Sequence, residues 1–165
     1  MSVNRHLPHL LVLPEDDANR QLANGFHLEL HSIRQVQVLD VAGGWIDVLE
    51  RFKSHHVSGL ERYPDRFMVL LIDFDGRTDR LKEVKTCIPE HLLDRVLVLG
   101  VWTEPERLRT ALGSTCEQIG RDLANDCRAR TDFVWHHALL QHNAGEIDRF
   151  RDRIWPILFG QTTSA

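Results

Sequence analysis

The sequence predicts one α/β domain, in which a mostly parallel four-stranded sheet carries helices on both faces and a C-terminal helical appendage follows. Three observations lead to this fold class. Short apolar runs alternate with amphipathic segments over the first two thirds of the chain. These runs are continuously apolar, which is typical of parallel strands that are buried on both faces. The length of 165 residues suits a single domain with a sizeable core.

Each predicted strand is followed by a predicted helix. The strands HLLVL, QVQVLDVA, RFMVLLIDF and RVLVLGVW are expected at residues 9–13, 35–42, 66–74 and 95–102. Segments with helical spacing of apolar residues come after them, at 17–30, 45–56, 78–88 and 104–112. This repeated order of strand and helix is what predicts a parallel sheet rather than hairpins.

The pattern changes after Gly113, where only helices are predicted. They are expected at 114–130, 132–143 and 146–159, with a capping box from Ser114 to Glu117 and a stop near Pro156. We therefore divide the chain into an α/β core at 1–112, helices at 113–159 packed on it within the same domain, and a disordered tail at 160–165. The aromatic residues of these helices also predict a homodimer or a protein partner.

Composition narrows the compartment and the class of protein. A formal net charge of −4 with 27% charged residues is ordinary for a soluble protein, and it does not by itself indicate nucleic-acid binding. The three cysteines have no C-x-x-C spacing, which argues against a disulfide framework or a zinc site and predicts a reducing compartment. The apolar run near the start is too short for a signal peptide or a membrane span. We expect a cytoplasmic protein without membrane contact.

Acidic residues follow three of the four predicted strands. Ligands of open parallel sheets bind beyond the carboxyl ends of the strands, so these residues are expected to share one edge. Carboxylate oxygens of this kind suit Mg²⁺ or Mn²⁺. After the second strand, Gly43 and Gly44 would let backbone N–H groups approach an anion closely. The acids at the other strand ends are Glu15, Asp16 and Asp17, then Asp73 and Asp75, then Glu104 and Glu106.

Each of these features also has a purely structural interpretation. The D-x-D sequence is compatible with a hydrogen-bonded turn. The segment PEDDAN is compatible with an acidic N-cap for the following helix. Glu104 and Glu106 flank Pro105, which is the usual first turn of a helix, and there the structural interpretation is favoured. Clustered acids on one sheet edge repel one another unless a cation offsets the repulsion, and this favours a site.

The segments LLVLPEDD, VLDVAGGWIDVL and VLLIDFDGRTDR together resemble the Toprim domain. This domain is the catalytic module of topoisomerases, bacterial primases, small RNA-maturation nucleases and OLD-type nucleases. The resemblance covers residues 7–112 and consists of a strand ending in Glu, a strand ending in Gly-Gly and a strand ending in D-x-D-G. It implies a Toprim-like core that performs metal-dependent chemistry on the phosphodiester bonds of DNA or RNA.

Carried over to this chain, the resemblance implies a metal site with a general base. Glu15 would act in acid–base catalysis or bind metal, and Asp73 and Asp75 would hold Mg²⁺ or Mn²⁺ beside the phosphodiester. A metal of this kind stabilises charge on phosphoryl oxygens and lowers the pKa of an attacking water. Glu15 or Asp16 would orient or deprotonate that water. Many family members have glycine directly after the glutamate, where this chain has Asp16.

Phosphate contacts are predicted next to the D-x-D motif. Arg77 and Arg80 follow it directly and would bind the nucleic-acid backbone, together with the N–H groups of Gly43 and Gly44. The structural alternative for the two arginines is a solvated helix face on which they pair with neighbouring acids. The only tyrosine, Tyr63, precedes a proline, which argues against a topoisomerase because those members need a separate tyrosine nucleophile.

Three other functions are compatible with parts of the sequence. LLIDFDG resembles the first motif of haloacid-dehalogenase-type phosphatases, in which Asp73 would be the nucleophile and Asp75 the acid–base. Arg77 after Gly76 and the mid-chain position of the motif weigh against it. LVLPEDDANRQL is similar to a response-regulator receiver, but no lysine follows a fifth strand. A non-catalytic Toprim-like scaffold would keep the α/β pattern and lose metal affinity.

Overall fold

The protein is built on a four-stranded sheet in which every neighbouring pair of strands is parallel, with the order β2-β1-β3-β4. A computed structural model describes residues 2–30 and 34–160. The strands are β1 (His9–Pro14), β2 (Val36–Val38), β3 (Arg66–Leu71) and β4 (Val96–Leu99). The predicted α/β fold with a parallel four-stranded sheet and a helical C-terminal part is confirmed. Residues 161–165 of the predicted tail lie outside the described residues.

Helices connect the strands and form the C-terminal part. A π-helical turn, Phe52–His56, joins α2 to α3, and short 3-10 turns lie at Glu90–Leu92 and Gln141–Asn143. The α-helices are α1 (Asp17–Leu28), α2 (Trp45–Arg51), α3 (Val57–Arg62), α4 (Arg80–Thr86), α5 (Pro105–Leu112), α6 (Cys116–Ala129), α7 (Ala144–Arg153) and α8 (Trp155–Leu158). None of the described helices is long and apolar enough to cross a membrane.

Both faces of the sheet are buried, which explains the continuously apolar strands. Along β1, Leu11 and Leu13 face a core shared with the α2–α3 segment and α4. Leu10 and Val12 face the opposite core, which includes residues of α1, α6, α7 and α8. The alternation follows from strand geometry, because successive side chains point to opposite faces. The C-terminal helices thus complete the second core.

Two glycines allow α1 and α6 to pack closely. A Cβ atom on Gly25 would lie 2.0 Å from the carbonyl oxygen of Glu117, and a Cβ atom on Gly120 would lie 2.0 Å from that of Leu22. No side chain fits at such distances, so any larger residue would push the helices apart. The crossing fixes α6, the first helix after Gly113, against the first helix of the α/β core.

The outer edge of β4 is covered by the residues around the start of α7. The Glu146 carboxylate accepts the Val98 N–H at 2.9 Å. The Asn143 amide accepts the Gly100 N–H at 3.2 Å and donates to the Gly100 carbonyl at 2.9 Å. These side chains take the place of a fifth strand, because an edge strand otherwise leaves its backbone groups unpaired.

Three predicted strands are longer than the observed ones. The predictions at 35–42, 66–74 and 95–102 run past the carboxyl ends of β2, β3 and β4. The apolar residues beyond β3 are nevertheless buried, and they keep sheet-like backbone contacts. Ile72 N–H binds the Leu99 carbonyl at 3.0 Å, and Phe74 N–H binds the Val101 carbonyl at 3.1 Å. The apolar pattern therefore indicates which residues are buried, and the buried residues continue past the end of the regular strand.

The predicted helix at 132–143 is wrong, because most of this segment forms turns. The helical bonding breaks where the Leu139 N–H binds the ring Nδ1 of His137 at 3.0 Å instead of a backbone carbonyl. The Leu139 carbonyl in turn accepts the Trp102 N–H at 2.8 Å, which ties the segment to the loop after β4. A side-chain acceptor and a tertiary contact outweigh the helical spacing here.

Two predicted helix boundaries also need correction. Thr115, and not Ser114, is the N-cap of α6, since its hydroxyl accepts the Gln118 N–H at 3.1 Å. The last predicted helix divides at Ile154 into α7 and α8. Pro156 does not stop a helix but lies in the first turn of α8, where a missing N–H costs nothing.

Candidate active site

The loops after β1, β2 and β3 meet at the carboxyl edge of the sheet. Glu15 N–H binds the Leu71 carbonyl at 2.9 Å, which holds the end of β1 against the end of β3. Gly43 N–H binds the Glu15 carbonyl at 2.8 Å, which holds the loop after β2 on the other side. The parallel order β2-β1-β3 therefore brings together the residues that the sequence predicted at one edge.

Glu15 and Asp73 are in direct contact. The Asp73 N–H donates to Glu15 Oε2 at 2.7 Å. Asp73 is 8% exposed, and Glu15 is half-buried. The contact orients the Glu15 carboxylate across the start of the D-x-D motif, 58 residues further along the chain.

Asn19 links two of the carboxylates. Its side chain is fully buried in α1, and its Nδ2 donates to Asp16 Oδ1 at 3.0 Å and to Asp73 Oδ1 at 2.9 Å. Its Oδ1 is buried without a hydrogen-bond partner. The amide orientation follows from the contacts, because only the NH₂ group can donate to two carboxylates.

Asp16 is an N-cap that also contacts the acidic cluster. It is the N-cap of α1, and its Oδ1 accepts the Asn19 N–H at 2.9 Å. The same oxygen receives the Asn19 side chain, which also reaches Asp73. The predicted acidic N-cap is thus confirmed, and the cap also belongs to the acidic cluster. Asp17, the next residue, pairs with Arg20 and Gln21 on the exposed face of α1.

The D-x-D motif makes a tight turn that separates its two aspartates. Asp75 and Gly76 have φ angles of 51° and 68°, in the left-handed region that glycine favours and Asp tolerates. Gly76 N–H binds the Trp102 carbonyl at 2.7 Å, which anchors the turn on the loop after β4. Phe74 is buried between the two acids, whereas Asp75 is exposed.

Arg80 lies under this turn and is almost fully buried, with an exposed fraction of 3%. Its Nη1 donates to the Asp73 carbonyl at 2.9 Å and to Asp75 Oδ2 at 3.1 Å. The guanidinium lies 4.1 Å from the centre of the Trp45 ring, in cation–π contact. Arg80, predicted to bind phosphate, therefore has its guanidinium engaged inside the protein.

Arg77 has the arrangement that the structural alternative described. It is exposed and pairs with Asp79 through Nε and Nη2, at 3.1 and 2.9 Å. Its Nη2 also lies 3.9 Å from a Glu83 oxygen. The hydrogen bonds that Arg77 donates to Asp79 raise the pKa of Arg77.

The Gly43–Gly44 turn is close to a carboxylate. Gly43 has a φ angle of 114°, which requires glycine, and its N–H is used by the Glu15 carbonyl. Built Cβ atoms on Gly43 and Gly44 would lie 3.4 and 3.2 Å from Asp47 Oδ2. The Asp47 side chain thus faces the turn in which an anion was expected.

Two of the clustered acids, Glu15 and Asp73, have raised pKa values. Burial raises the pKa of Asp73 to about 7; the hydrogen bond from Asn19 opposes the rise, and the neighbouring carboxylates add to it. Burial also raises the pKa of Glu15. The hydrogen bond from the Asp73 N–H opposes this rise, and the charges of Asp16 and Asp75 add to it. Both shifts show that negative charge is costly at this edge, so a proton or a cation is favoured there.

The side chains at this edge offer oxygen atoms, the donor type that hard divalent cations prefer. Glu15, Asp16 and Asp73 supply carboxylate oxygens, and Asn19 adds an amide oxygen that has no partner. Mg²⁺ and Mn²⁺ prefer oxygen ligands and commonly bind only one or two carboxylates, with waters completing the shell. Within the described ranges, no group of three or more His, Cys, Asp or Glu side chains is arranged to hold a metal ion.

Glu104 and Glu106 belong to the start of a helix. Glu104 is the N-cap residue of α5, Pro105 occupies the first turn, and both glutamates are exposed. The favoured structural interpretation is therefore confirmed for this strand end.

Sequence reasoning missed Asn19 as the link between carboxylates, and it named Arg80 for phosphate binding, whereas Arg80 supports the turn from below. Asn19 lies three residues after an N-cap acid, which is a weak signal for a local contact, but nothing local predicts its bond to Asp73.

No protein-family model, curated protein or solved structure matches the chain.

Proposed function

We propose that the carboxyl edge of the sheet carries out Mg²⁺- or Mn²⁺-dependent hydrolysis of phosphodiester bonds in nucleic acid. One observation carries the proposal: Asn19 and the Asp73 N–H draw the carboxylates of Glu15, Asp16 and Asp73 into one small cluster. Such a cluster of like charges is unfavourable on its own and favourable around a cation. The Toprim resemblance supplies the substrate class, and it does so by analogy.

Glu15 and Asp73 would hold the cation from within the cluster, and Asp75 would join them by exchanging its pairing with Arg80 for the ion. The unpartnered Asn19 oxygen suits a bound water or the ion itself. When bound, such an ion neutralises charge on the phosphoryl oxygens and lowers the pKa of water. Glu15 is the residue best suited to accept the proton of that water. Its raised pKa moves it towards the neutral range in which a general base works best. Asp16 would orient the water from the N-terminus of α1.

Metal affinity should depend on pH. Ligand carboxylates must be ionised to bind a cation, and the pKa of Asp73 is raised to about 7. Affinity for Mn²⁺ should therefore increase as the pH rises through about 7.

The binding of nucleic acid beside the cluster falls to exposed groups. Arg77 is the exposed arginine of the predicted pair. Its planar guanidinium now pairs with Asp79, and it could bind a backbone phosphate in place of that carboxylate.

We place the protein in the cytoplasm, consistent with the free thiols of Cys87, Cys116 and Cys127. A homodimer or protein contact would use Phe133, which is 87% exposed.

A non-catalytic scaffold is the second candidate, and one contact favours it. Arg80 pairs with Asp75 and binds the Asp73 carbonyl, so an internal cation already offsets part of the negative charge. In that case the turn would be a structural element and the edge would bind a partner without chemistry.

Calorimetric titration of Mn²⁺ separates the two candidates. The wild-type chain should bind, and Asp73→Asn, which keeps the shape of the side chain, should not. Glu104→Gln is the matched control, because it removes an exposed carboxylate from the same sheet edge, and it should bind like the wild type. Binding should then be followed by assays on single- and double-stranded DNA and RNA. No binding to the wild type, with and without nucleic acid, would favour the scaffold.

A further inference from the structure

A group of arginines converges at the opposite edge of the sheet, around the amino ends of β1 and β3. Arg66 is the first residue of β3 and pairs in register with His9 of β1. Tyr63 ends α3 just before β3. The guanidinium carbons of Arg66 and Arg62 lie 4.7 and 5.5 Å from the centre of the Tyr63 ring. Arg5, in the segment before β1, lies near enough to contribute to the lowered pKa of the Tyr63 hydroxyl.

Arg66 is held in a defined orientation. Its Nε donates to His9 Nε2 at 2.9 Å. Because arginine can only donate, His9 is neutral with its proton on Nδ1, which donates to the Leu7 carbonyl at 2.7 Å. On the other side, a Cβ atom on Gly59 would lie 2.6 Å from Arg66 Nη1, so the absence of a side chain leaves room for the guanidinium. These contacts orient Arg66 without neutralising it.

No carboxylate compensates this positive charge within the part of the chain that the structure describes. Arg5, Arg62 and Arg66 form no salt bridge there, whereas other arginines, such as Arg77 and Arg153, do. Arg5 and Arg62 are exposed, so a ligand can reach them.

The pKa shifts of the neighbouring groups agree with an excess of positive charge at this edge. Hydrogen bonding from Arg5, with the charges of the arginines, lowers the pKa of Tyr63. Burial, with the charge of Arg5, lowers the pKa of Arg66. Burial lowers the pKa of His9, and it lowers that of His56 to about 4; Arg66 contributes to both shifts. Asp65 is the acid that opposes the shift at His9.

We propose that Arg5, Arg62, Arg66 and the Tyr63 hydroxyl form a binding site for a phosphate group. Guanidinium groups match the geometry of phosphate oxygens and bind them in pairs of hydrogen bonds. The oriented Arg66 provides a fixed anchor, and the two exposed arginines can close on the ligand. The six-residue β1 places this site about 20 Å from the carboxyl edge, so it is separate from the acidic cluster. The phosphate group belongs to a free phosphate compound or to a nucleic-acid backbone.

Titration of the only tyrosine tests the site directly, because tyrosinate absorbance reports Tyr63 alone. Inorganic phosphate, added at constant ionic strength against chloride, should raise the apparent pKa of Tyr63 towards its ordinary value. The double variant Arg5→Gln, Arg62→Gln should raise this pKa without phosphate and remove the response to phosphate. Circular dichroism at the same pH checks that both proteins are folded. An equal response to chloride and phosphate in the wild type would overturn the proposal.

Calorimetric binding identifies the source of the phosphate group. The double variant should bind inorganic phosphate at least about tenfold more weakly than the wild type, since it loses charged hydrogen bonds. Arg107→Gln removes the positive charge of an exposed arginine of α5 and should change binding by less than about twofold. Tighter binding of an oligothymidylate without terminal phosphates, lost in the double variant, would assign the site to the nucleic-acid backbone. Binding of phosphate without the oligonucleotide would assign it to free phosphate compounds. Binding of neither probe, or equal losses in the double variant and the control, would refute the site.

Discussion

The two edges of the sheet carry opposite charge, and they differ in whether a nearby side chain compensates it. At the carboxyl edge, Glu15, Asp16 and Asp73 cluster, and a buried cation, Arg80, lies beneath them. At the amino edge, Arg62 and Arg66 surround a tyrosine and no carboxylate pairs with them in the described residues. The acidic edge is partly neutralised from within, whereas the basic edge is left open to solvent. The acidic edge therefore has a buried partner of its own, whereas a counterion for the basic edge has to come from solvent.

The same substitution at each edge should separate these two situations. Arg80→Met removes a buried cation that donates to the Asp73 carbonyl and to Asp75 Oδ2. It should lower the free energy of unfolding by about 3 kcal/mol, because two charge-assisted hydrogen bonds are lost. Urea denaturation followed by circular dichroism measures the change. A loss below about 0.5 kcal/mol, the scale of an exposed substitution, would show that Arg80 does not support the acidic edge.

Asn19→Leu should have the next largest effect. The substitution removes the donor shared by Asp16 and Asp73 and leaves both buried oxygens with fewer partners. The free energy of unfolding should fall by about 1–3 kcal/mol. The pKa of Asp73 should rise further, because the Asn19 hydrogen bond opposes the rise in the wild type. Carboxyl NMR titration measures that shift, and an unchanged pKa would show that the bond does not stabilise the ionised form.

Arg66→Met at the basic edge should have the smallest effect. The variant loses the bond to His9 but relieves repulsion from Arg5, so the free energy of unfolding should change by no more than about 1 kcal/mol. The pKa of His9 should rise, since Arg66 lowers it, and should stay below the ordinary value because burial is the larger cause. Histidine NMR titration follows this change. A loss as large as that of Arg80→Met would remove the distinction between the two edges.

Much of the fold could be predicted because it depends on local patterns. Continuous apolar runs mark strands buried on both faces, and Asp16 and Pro105 mark helix starts by short-range chemistry. The segment 132–143 could not be predicted, because its helical spacing is overruled by the His137 ring and by a contact with the loop after β4.

The two edges of the sheet also differ in how well the sequence predicts them. The acidic edge is visible in the sequence because its carboxylates directly follow strands, and the D-x-D motif alone supplies two of them. Its partners are not visible, since Asn19 reaches Asp73 across 54 residues. The basic edge has no recognised motif: Arg62 and Arg66 are neighbours in sequence, but Arg5 belongs to the segment before β1 and joins them only through the pairing of β1 with β3. Sequence therefore reveals sites built from neighbouring residues better than sites built from distant ones.

The central claim is that the acidic edge holds like charges that a divalent cation relieves, and thermal unfolding of the wild type and Asp73→Asn tests it most directly. A carboxyl whose pKa is raised on folding from 3.8 to about 7 destabilises the folded state increasingly as the pH rises through that range. With a chelator above the folded-state pKa, Asp73→Asn should therefore be more stable than the wild type, by up to about 4 kcal/mol. Mn²⁺ should then raise the melting temperature of the wild type and leave that of the variant unchanged. A variant less stable than the wild type in chelator, with no effect of Mn²⁺ on either protein, would contradict the account.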